Sequence, residues 1–284
     1  MVRLLLLAFL ALALPHAFAT QEHTPVPNAP FQPSIEVPGL DAWPKSAVGA
    51  SDLTGARKQA AGPIISATRQ PRGALSGRVV FTSAGHGWAW SGSAWALGRP
   101  QLHSMNEDYG NLDQMTLFAF YCFNAGATVV PMRPIGHQTN EVVLDNTSPG
   151  VAFAGAWADS AGSVFYGAAG SVPYRFSGVA PEETATATYA PGIPVAGFYP
   201  VYAWAAAGAN RVNQLYRVRH SGGESSVRVP HRMVGNGWVY LGTYHFAAGS
   251  NAATAAVIVS NLAEPGEQTG VVIADAGRQA EHPT

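Results

Sequence analysis

From Val151 to Ala276 the chain is written in short apolar runs of period two, separated by Gly, Ser, Pro and Asn. TATATY (184–189) alternates strictly, and GWVYLGTYHF (237–246) sets Trp238, Tyr240, Tyr244 and Phe246 against Val239, Leu241, Thr243 and His245. Successive side chains of a strand point to opposite faces, so this alternation predicts strands that bury one face. Further strand candidates are 163–167, 172–177, 196–205, 214–220, 225–231, 253–260 and 270–276. Ser221-Gly222-Gly223 and Gly235-Asn236-Gly237 are turn signals between such runs. Many short strands at regular spacing, with no helical period, predict an all-β antiparallel sandwich, jelly-roll-like in size, over residues 151–277.

The preceding stretch, 76–150, has another texture. RVVFTS (78–83) is a short apolar run ended by Ala84-Gly85, which predicts a strand with a tight exit. Residues 107–125 predict a helix: Asn106 is an N-cap candidate, Glu107 and Asp108 suit its positive end, and Gly126 suits the position past its end. Leu112, Met115, Ala119 and Cys122 share one face, while Leu117, Phe118, Phe120, Tyr121 and Phe123 cover much of the rest. A helix apolar nearly all round is expected to be buried on several sides. ATVVPMR (127–133) predicts a second strand, completing a right-handed βαβ unit. The expected fold class is therefore an α/β fragment followed by an all-β sandwich.

At the front, Arg3 precedes an apolar run from Leu4 to Leu14, then Pro15 and the small-x-small pattern Ala17-Phe18-Ala19. Residues 1–19 read as a secretory signal peptide, and a run this short does not span a bilayer. Residues 20–75, rich in Pro, Ala, Ser and Gly, read as a linker or a loosely docked arm, and residues 278–284 as a polar, unstructured tail. The expected location is outside the cytoplasm, secreted or in the periplasm and cell envelope.

Charged residues make up 12% of the 284 and hydrophobic ones 47%. Charge at about half its usual ~25% argues against wholesale disorder. Net charge is −1, and no Lys/Arg cluster occurs, which argues against nucleic acid or an anionic membrane surface as partners. Cys122 is the single cysteine, so an intrachain disulfide is impossible, and any metal site draws on His, Asp and Glu. No Gly-Lys-Ser phosphate loop, no G-x-G-x-x-G after a strand and no G-x-S-x-G elbow occurs.

The chemistry-bearing segment is 78–133. His86 follows the carboxyl end of a strand, where open α/β sheets place ligands, and Glu107 opens the next helix near the same edge. An imidazole and a carboxylate converging there make a partial zinc site. The ordered set V-V-F-x-x-A-G-H-G, then Glu107-x-x-x-Asn111-Leu112, then A-G-A-T-V-V-x-x-R, resembles zinc-dependent N-acetylmuramoyl-L-alanine amidases, which cut the amide between muramic acid and the stem peptide of peptidoglycan. The resemblance implies that His86 and Glu107 are zinc ligands and that Arg133 matches the Arg ending the second strand. The family's third ligand and catalytic Glu have no counterpart in a comparable setting. His137 and His103 are the candidates for the third ligand, and the general base is unassigned. Zinc, if bound, would lower the pKa of its water towards 7 and polarise the amide carbonyl.

A second resemblance covers 184–276, carried by A-G-F-Y-P-V-Y-A-W (196–204), Asn210-Arg211, Q-L-Y-R-V-R-H-S-G-G (214–223), V-R-V-P-H-R (227–232), N-G-W-V-Y-L-G-T-Y-H-F (236–246) and V-V-I-A-D-A (271–276). It is similar to the golvesin C-terminal-like domain, also called the xanthan-lyase carbohydrate-binding-like domain. That implies a β-sandwich that binds surface polysaccharide or cell wall. In proteins of this type the sandwich can sit inside an amidase domain, so the chain is expected to be a truncated one, with a two-stranded βαβ piece unable to bury its own faces.

Several residues keep two readings. Trp88, Trp90 and Trp95 form either a stacking rim for a sugar ring or packing under a loop. Tyr199, Tyr202 and Trp204 read as core. Tyr216, Arg217, Arg219 and His220 line a polar groove or a solvated strand face. His231 and His245 read as structural, and Asp275 as a turn anchor accepting backbone N–H bonds. Both resemblances together give an exported protein associated with peptidoglycan or another surface polysaccharide. The alternative is an active zinc amidase completed by His137 or His103.

Overall fold

The computed structural model describes residues 71–281, other than 86–87, 91, 98, 100–106, 136–138 and 168–169. The expected leader, the arm as far as residue 70 and the last three residues lie outside the described residues.

Strand β1 (Val79–Thr82) leads through a hairpin, β2 (Trp88–Trp90) and β3 (Trp95–Leu97), to helix α1 (Glu107–Asn124) and strand β4 (Thr128–Pro131). β1 and β4 are parallel neighbours, Val79 opposite Thr128 and Phe81 opposite Val130. The expected βαβ connection is thus present, with a hairpin inserted in its crossover. α1 ends as its sequence predicts: Gly126 adopts φ 95°, its N–H donates to the Phe123 carbonyl at 2.9 Å, and the Ala127 N–H donates to the Cys122 carbonyl at 3.0 Å. This is a Schellman closure, and a left-handed residue is what glycine supplies without strain. The Leu75 N–H donates to the Ala125 carbonyl at 2.9 Å, so the end of the expected arm is tied to the end of α1.

Twelve more strands follow: β5 (Thr139–Asp145), β6 (Val151–Ala154), β7 (Ala158–Asp159), β8 (Arg175–Gly178), β9 (Thr186–Tyr189), β10 (Gly197–Ala205), β11 (Asn213–His220), β12 (Gly223–Pro230), β13 (Gly237–Phe246), β14 (Ala256–Ser260), β15 (Val271–Ala274) and β16 (Ala276–Glu281). A six-stranded sheet runs β1-β4-β13-β10-β16-β5, and a five-stranded one runs β12-β11-β14-β9-β6. A small sheet, β15-β8-β7, flanks them. Apart from β1 with β4, every named pair is antiparallel. One core joins the two large sheets: Val201, Tyr199, Val239 and Leu241 from one pack in the same cluster as Tyr216, Val218, Val257 and Val259 from the other. This is the expected sandwich, with inner faces interdigitated.

Four differences from the sequence reading have physical causes. Residues 163–167 do not form a strand, because their neighbourhood is tied by irregular bonds such as Ser160 N–H to the Tyr174 carbonyl. Strand β16 runs through residues read as tail: its backbone is paired on both sides, with β10 and with β5. α1 is covered on one side rather than several, burying Ala119, Cys122 and Phe123 but exposing Leu117, Phe118 and Tyr121. The β1–β4 pair extends the sandwich's own sheet, since Val129 pairs with Tyr240 of β13. The parallel pair thereby shares the sandwich core instead of standing as a separate layer.

Candidate functional site

Of the residues expected to hold zinc, the described structure includes only the backbone of Glu107. β1 ends at Thr82, and Glu107 is the first residue of α1. His86, His103 and His137 lie outside the described residues, as does the Glu107 side chain. Among the described residues no group of three or more His, Cys, Asp or Glu side chains is placed to hold a metal. Arg133 is half-buried just past β4 and lines a small cleft with Thr82, Leu112 and Thr116. The tryptophans Trp88, Trp90 and Trp95 sit on the β2–β3 hairpin, with Trp90 opposite Trp95.

A second constellation lies on the face of the six-stranded sheet that carries α1. Directly paired residues share a face, so Trp204 opposite Trp238, Tyr202 opposite Tyr240 and Arg278 opposite Tyr202 project together. Phe123 of α1 meets Tyr240 edge-on, with ring centroids 5.0 Å apart, which closes one half of this face. The other half carries three half-buried rings. Tyr166, from the loop before β8, lies 5.1 Å from Trp238 and 5.7 Å from Trp204, and the two tryptophans are 5.4 Å apart. The Arg278 guanidinium stands 5.8 Å from the Tyr202 ring and 5.9 Å from that of Trp238. Its Nε is 2.7 Å from Oε1 of Glu141 on β5. Burial together with the nearby Glu141 carboxylate raises the Tyr166 hydroxyl pKa above its ordinary value, against the pull of Arg278. The Trp204 indole N–H is buried and has no acceptor.

Tyr166 is held from behind. Asp275 lies at the corner where the chain leaves β15 in one sheet and enters β16 in another. Both of its carboxylate oxygens accept the Tyr166 N–H, each at 3.2 Å. The Tyr189 hydroxyl donates to its carbonyl at 2.9 Å. Burial pushes the Asp275 carboxyl up to about 7 despite that backbone bond, and the Asp145 charge adds to the rise. Asp275 is thus a backbone anchor, the role its sequence setting suggested.

The remaining polar residues singled out in the sequence are structural. Tyr216 and His231 are both enclosed and share a hydrogen bond of 2.9 Å between Oη and Nε2. Burial, with Arg211 nearby, drives the His231 pKa down to about 3. His220 stacks on Tyr244 at 4.7 Å and bonds Ser225 at 3.0 Å, so it lines no groove. Arg217 pairs with Glu183 at 2.9 Å and Arg219 with Glu224 at 3.0 Å, across a partly solvated strand face. His245 is exposed and bonds Ser221. Tyr199 and Tyr202 are core as expected, but Trp204 is not fully enclosed. A register shift between Val201 and Tyr202 separates these residues, and strict alternation along β10 does not reveal it.

Strands β6 to β15, with more than half of β5 and of β16, fall within a segment that carries its own signature. Residues 142–279 match the Golvesin C-terminal domain. This golvesin-like module therefore supplies the whole five-stranded sheet and four strands of the six-stranded one, while β1, β4 and α1 precede it. A xanthan lyase from Bacillus sp. (strain GL1) is 34% identical over 149 residues, covering 51% of this chain and 15% of that protein. The chain spans about one-seventh of that relative's length, as 15% expresses. Among solved structures, a Paenibacillus xanthan lyase matches with 32% identity and a TM-score of 0.44, over 52% of this chain and 14% of the other. A Podospora anserina GH26-CBM35 β-(1,4)-mannanase matches with 16% identity and a TM-score of 0.34, over 51% of this chain and 28% of the other.

Proposed function

We propose that the chain is an exported protein that associates with extracellular polysaccharide through its golvesin-like module. The observation that carries this reading is the match of 142–279 to that domain, joined by 34% identity over 51% of this chain to 15% of a xanthan lyase. What supports export is the leader-like character of residues 1–19. Peptidoglycan and xanthan-like surface polymers are the proposed partners. Retention on insoluble peptidoglycan, and retardation in xanthan-containing native gels, test it against a bovine albumin control. Retention no greater than albumin's on both polymers sinks the reading. Amino-terminal sequencing of exported material is expected to begin at Thr20.

A second reading is zinc-dependent amidase chemistry at the carboxyl end of β1. What supports it is the parallel β1–β4 pair bridged by α1, which sets the start of α1, Glu107, after the segment holding His86. His86 and Glu107 would hold the ion, with His137 or His103 as third ligand. The ion would supply Lewis-acid polarisation of an amide carbonyl and an acidified water. Metal analysis of the purified chain beside His86→Ala and Glu107→Ala decides it: about one zinc per chain, lost in both variants, is the expected result for a complete site. A zinc-free, folded wild type refutes it.

A further inference from the structure

The outer face of the six-stranded sheet is where this molecule departs from ordinary packing. The other tyrosines of this sheet have their hydroxyls engaged within the protein. Tyr199 donates to the Val195 carbonyl at 2.6 Å, Tyr202 accepts the Ile135 N–H at 2.8 Å, and Tyr244 donates to the Leu241 carbonyl at 2.8 Å. Tyr166, Trp204 and Trp238 instead form a three-ring group that solvent partly reaches, beside an ion pair whose Glu141 side chain is 38% exposed. The Arg278 side chain is 11% exposed, so its charge is held close to the rings and is balanced by a carboxylate that reaches solvent.

We propose that Tyr166, Trp204 and Trp238, with the adjacent Glu141–Arg278 pair, form the glycan-contact site of the module, binding one sugar ring of a polysaccharide chain. This rests on the polysaccharide reading above. A pyranose offers an apolar C–H face and a rim of hydroxyls. The half-exposed aromatic group matches the face, and aromatic side chains with a polar handle suit surfaces that are apolar at one end and wet at the other. Neighbouring hydroxyls of a sugar each donate and accept, so a carboxylate acceptor beside a guanidinium donor matches a vicinal pair. Tyr166 is set in place before any ligand arrives, because Asp275 holds its backbone N–H. A ligand therefore meets a formed surface and avoids part of the ordering cost.

The test uses the full chain and two soluble probes, xanthan and sonicated peptidoglycan, followed by tryptophan fluorescence and affinity electrophoresis. Tyr166→Ala is expected to weaken binding by about tenfold or more, and Tyr166→Phe to retain most of it. Glu141→Gln keeps the side chain's size and is expected to weaken binding several-fold, with its melting temperature measured alongside to separate lost binding from lost fold, so it carries the test if Tyr166→Ala folds poorly. Tyr121→Ser, on the exposed face of α1, is the control and is expected to bind as wild type. If wild type binds either polymer while Glu141→Gln and Tyr166→Ala bind equally well, the site is wrong and the polysaccharide reading survives. If wild type binds neither polymer, both fall together.

Discussion

On β10, Tyr199, Val201, Tyr202, Ala203 and Ala205 are closed off from solvent, whereas on α1 Leu117, Phe118 and Tyr121 stand 55%, 46% and 73% exposed. Both elements are rich in apolar residues. The difference lies in what surrounds them. β10 is an interior strand hydrogen-bonded to β13 and β16, with the second sheet behind it and α1 near its front. α1 has the sheet on one side and nothing among the described residues on the other. Apolar composition raises the reward for burial, but only a second layer delivers it.

The sharpest way to break this comparison is to cut a core ring. Phe246, 1% exposed and edge-on to Tyr199 at 5.9 Å, is expected to cost about 3–5 kcal/mol when changed to Ala, measured by urea denaturation. A cost under about 1 kcal/mol would show that the two sheets do not share a close-packed core.

The next effect concerns polar anchoring. Asn261 is 2% exposed; its Oδ1 accepts the Thr184 and Ala185 N–H groups at 3.0 and 2.9 Å, and its Nδ2 donates to the Gly178 carbonyl at 3.0 Å. Asn261→Ala strands buried backbone groups and is expected to destabilise by about 2–3 kcal/mol in the same assay. Loss near zero would mean that the approach to β9 is held by other contacts.

A smaller effect is set by pH. Asp275 has its folded pKa raised to about 7 from 3.8, so the folded state holds its proton more tightly. Its contribution is complete below pH 3.8 and is lost as pH rises through about 7. His231 acts oppositely: its folded pKa of about 3 lies below 6.5, so its contribution is present above pH 6.5 and is lost as pH falls through about 3. Asp275→Asn removes the first dependence and keeps the second. Relative to wild type, the variant is expected to gain stability between about pH 4 and pH 7 and to level off above that in thermal melts. A difference independent of pH would show that Asp275 does not titrate in the folded protein.

The smallest effect returns to the exposed face of α1. Tyr121→Ser is expected to change stability by no more than about 0.5 kcal/mol, since little buried area is lost. A cost of 2 kcal/mol or more, on the scale of buried-ring truncation, would mean that the tyrosine is covered in solution.

Much of the fold was legible because local rules act on neighbours in sequence. The helix expected over 107–125 is found at Glu107–Asn124, ended by the glycine that its sequence offered. The strict alternation of 184–189 and 237–246 became β9 and β13. Strands β5, β6 and β16 escaped, because TNEVVLD, VAFA and AGRQAE carry weak or mixed alternation, and pairing with distant partners is what makes them strands. The aromatic group was illegible for the same reason. Tyr166, Trp204, Trp238 and Arg278 come from four separate segments, and no spacing rule connects them.

The residue order by itself determined the elements with a strong period, the turn glycines, the single thiol and the low charge, all of which depend on short-range sterics and composition. Tertiary structure decided that β1 and β4 would extend the sandwich's sheet, that β16 would be an interior strand, and that one face of that sheet would gather rings beside an ion pair. Those outcomes depend on which backbone edges remain unpaired and which apolar faces remain uncovered once the other strands have docked, and both are properties of the assembled sheet.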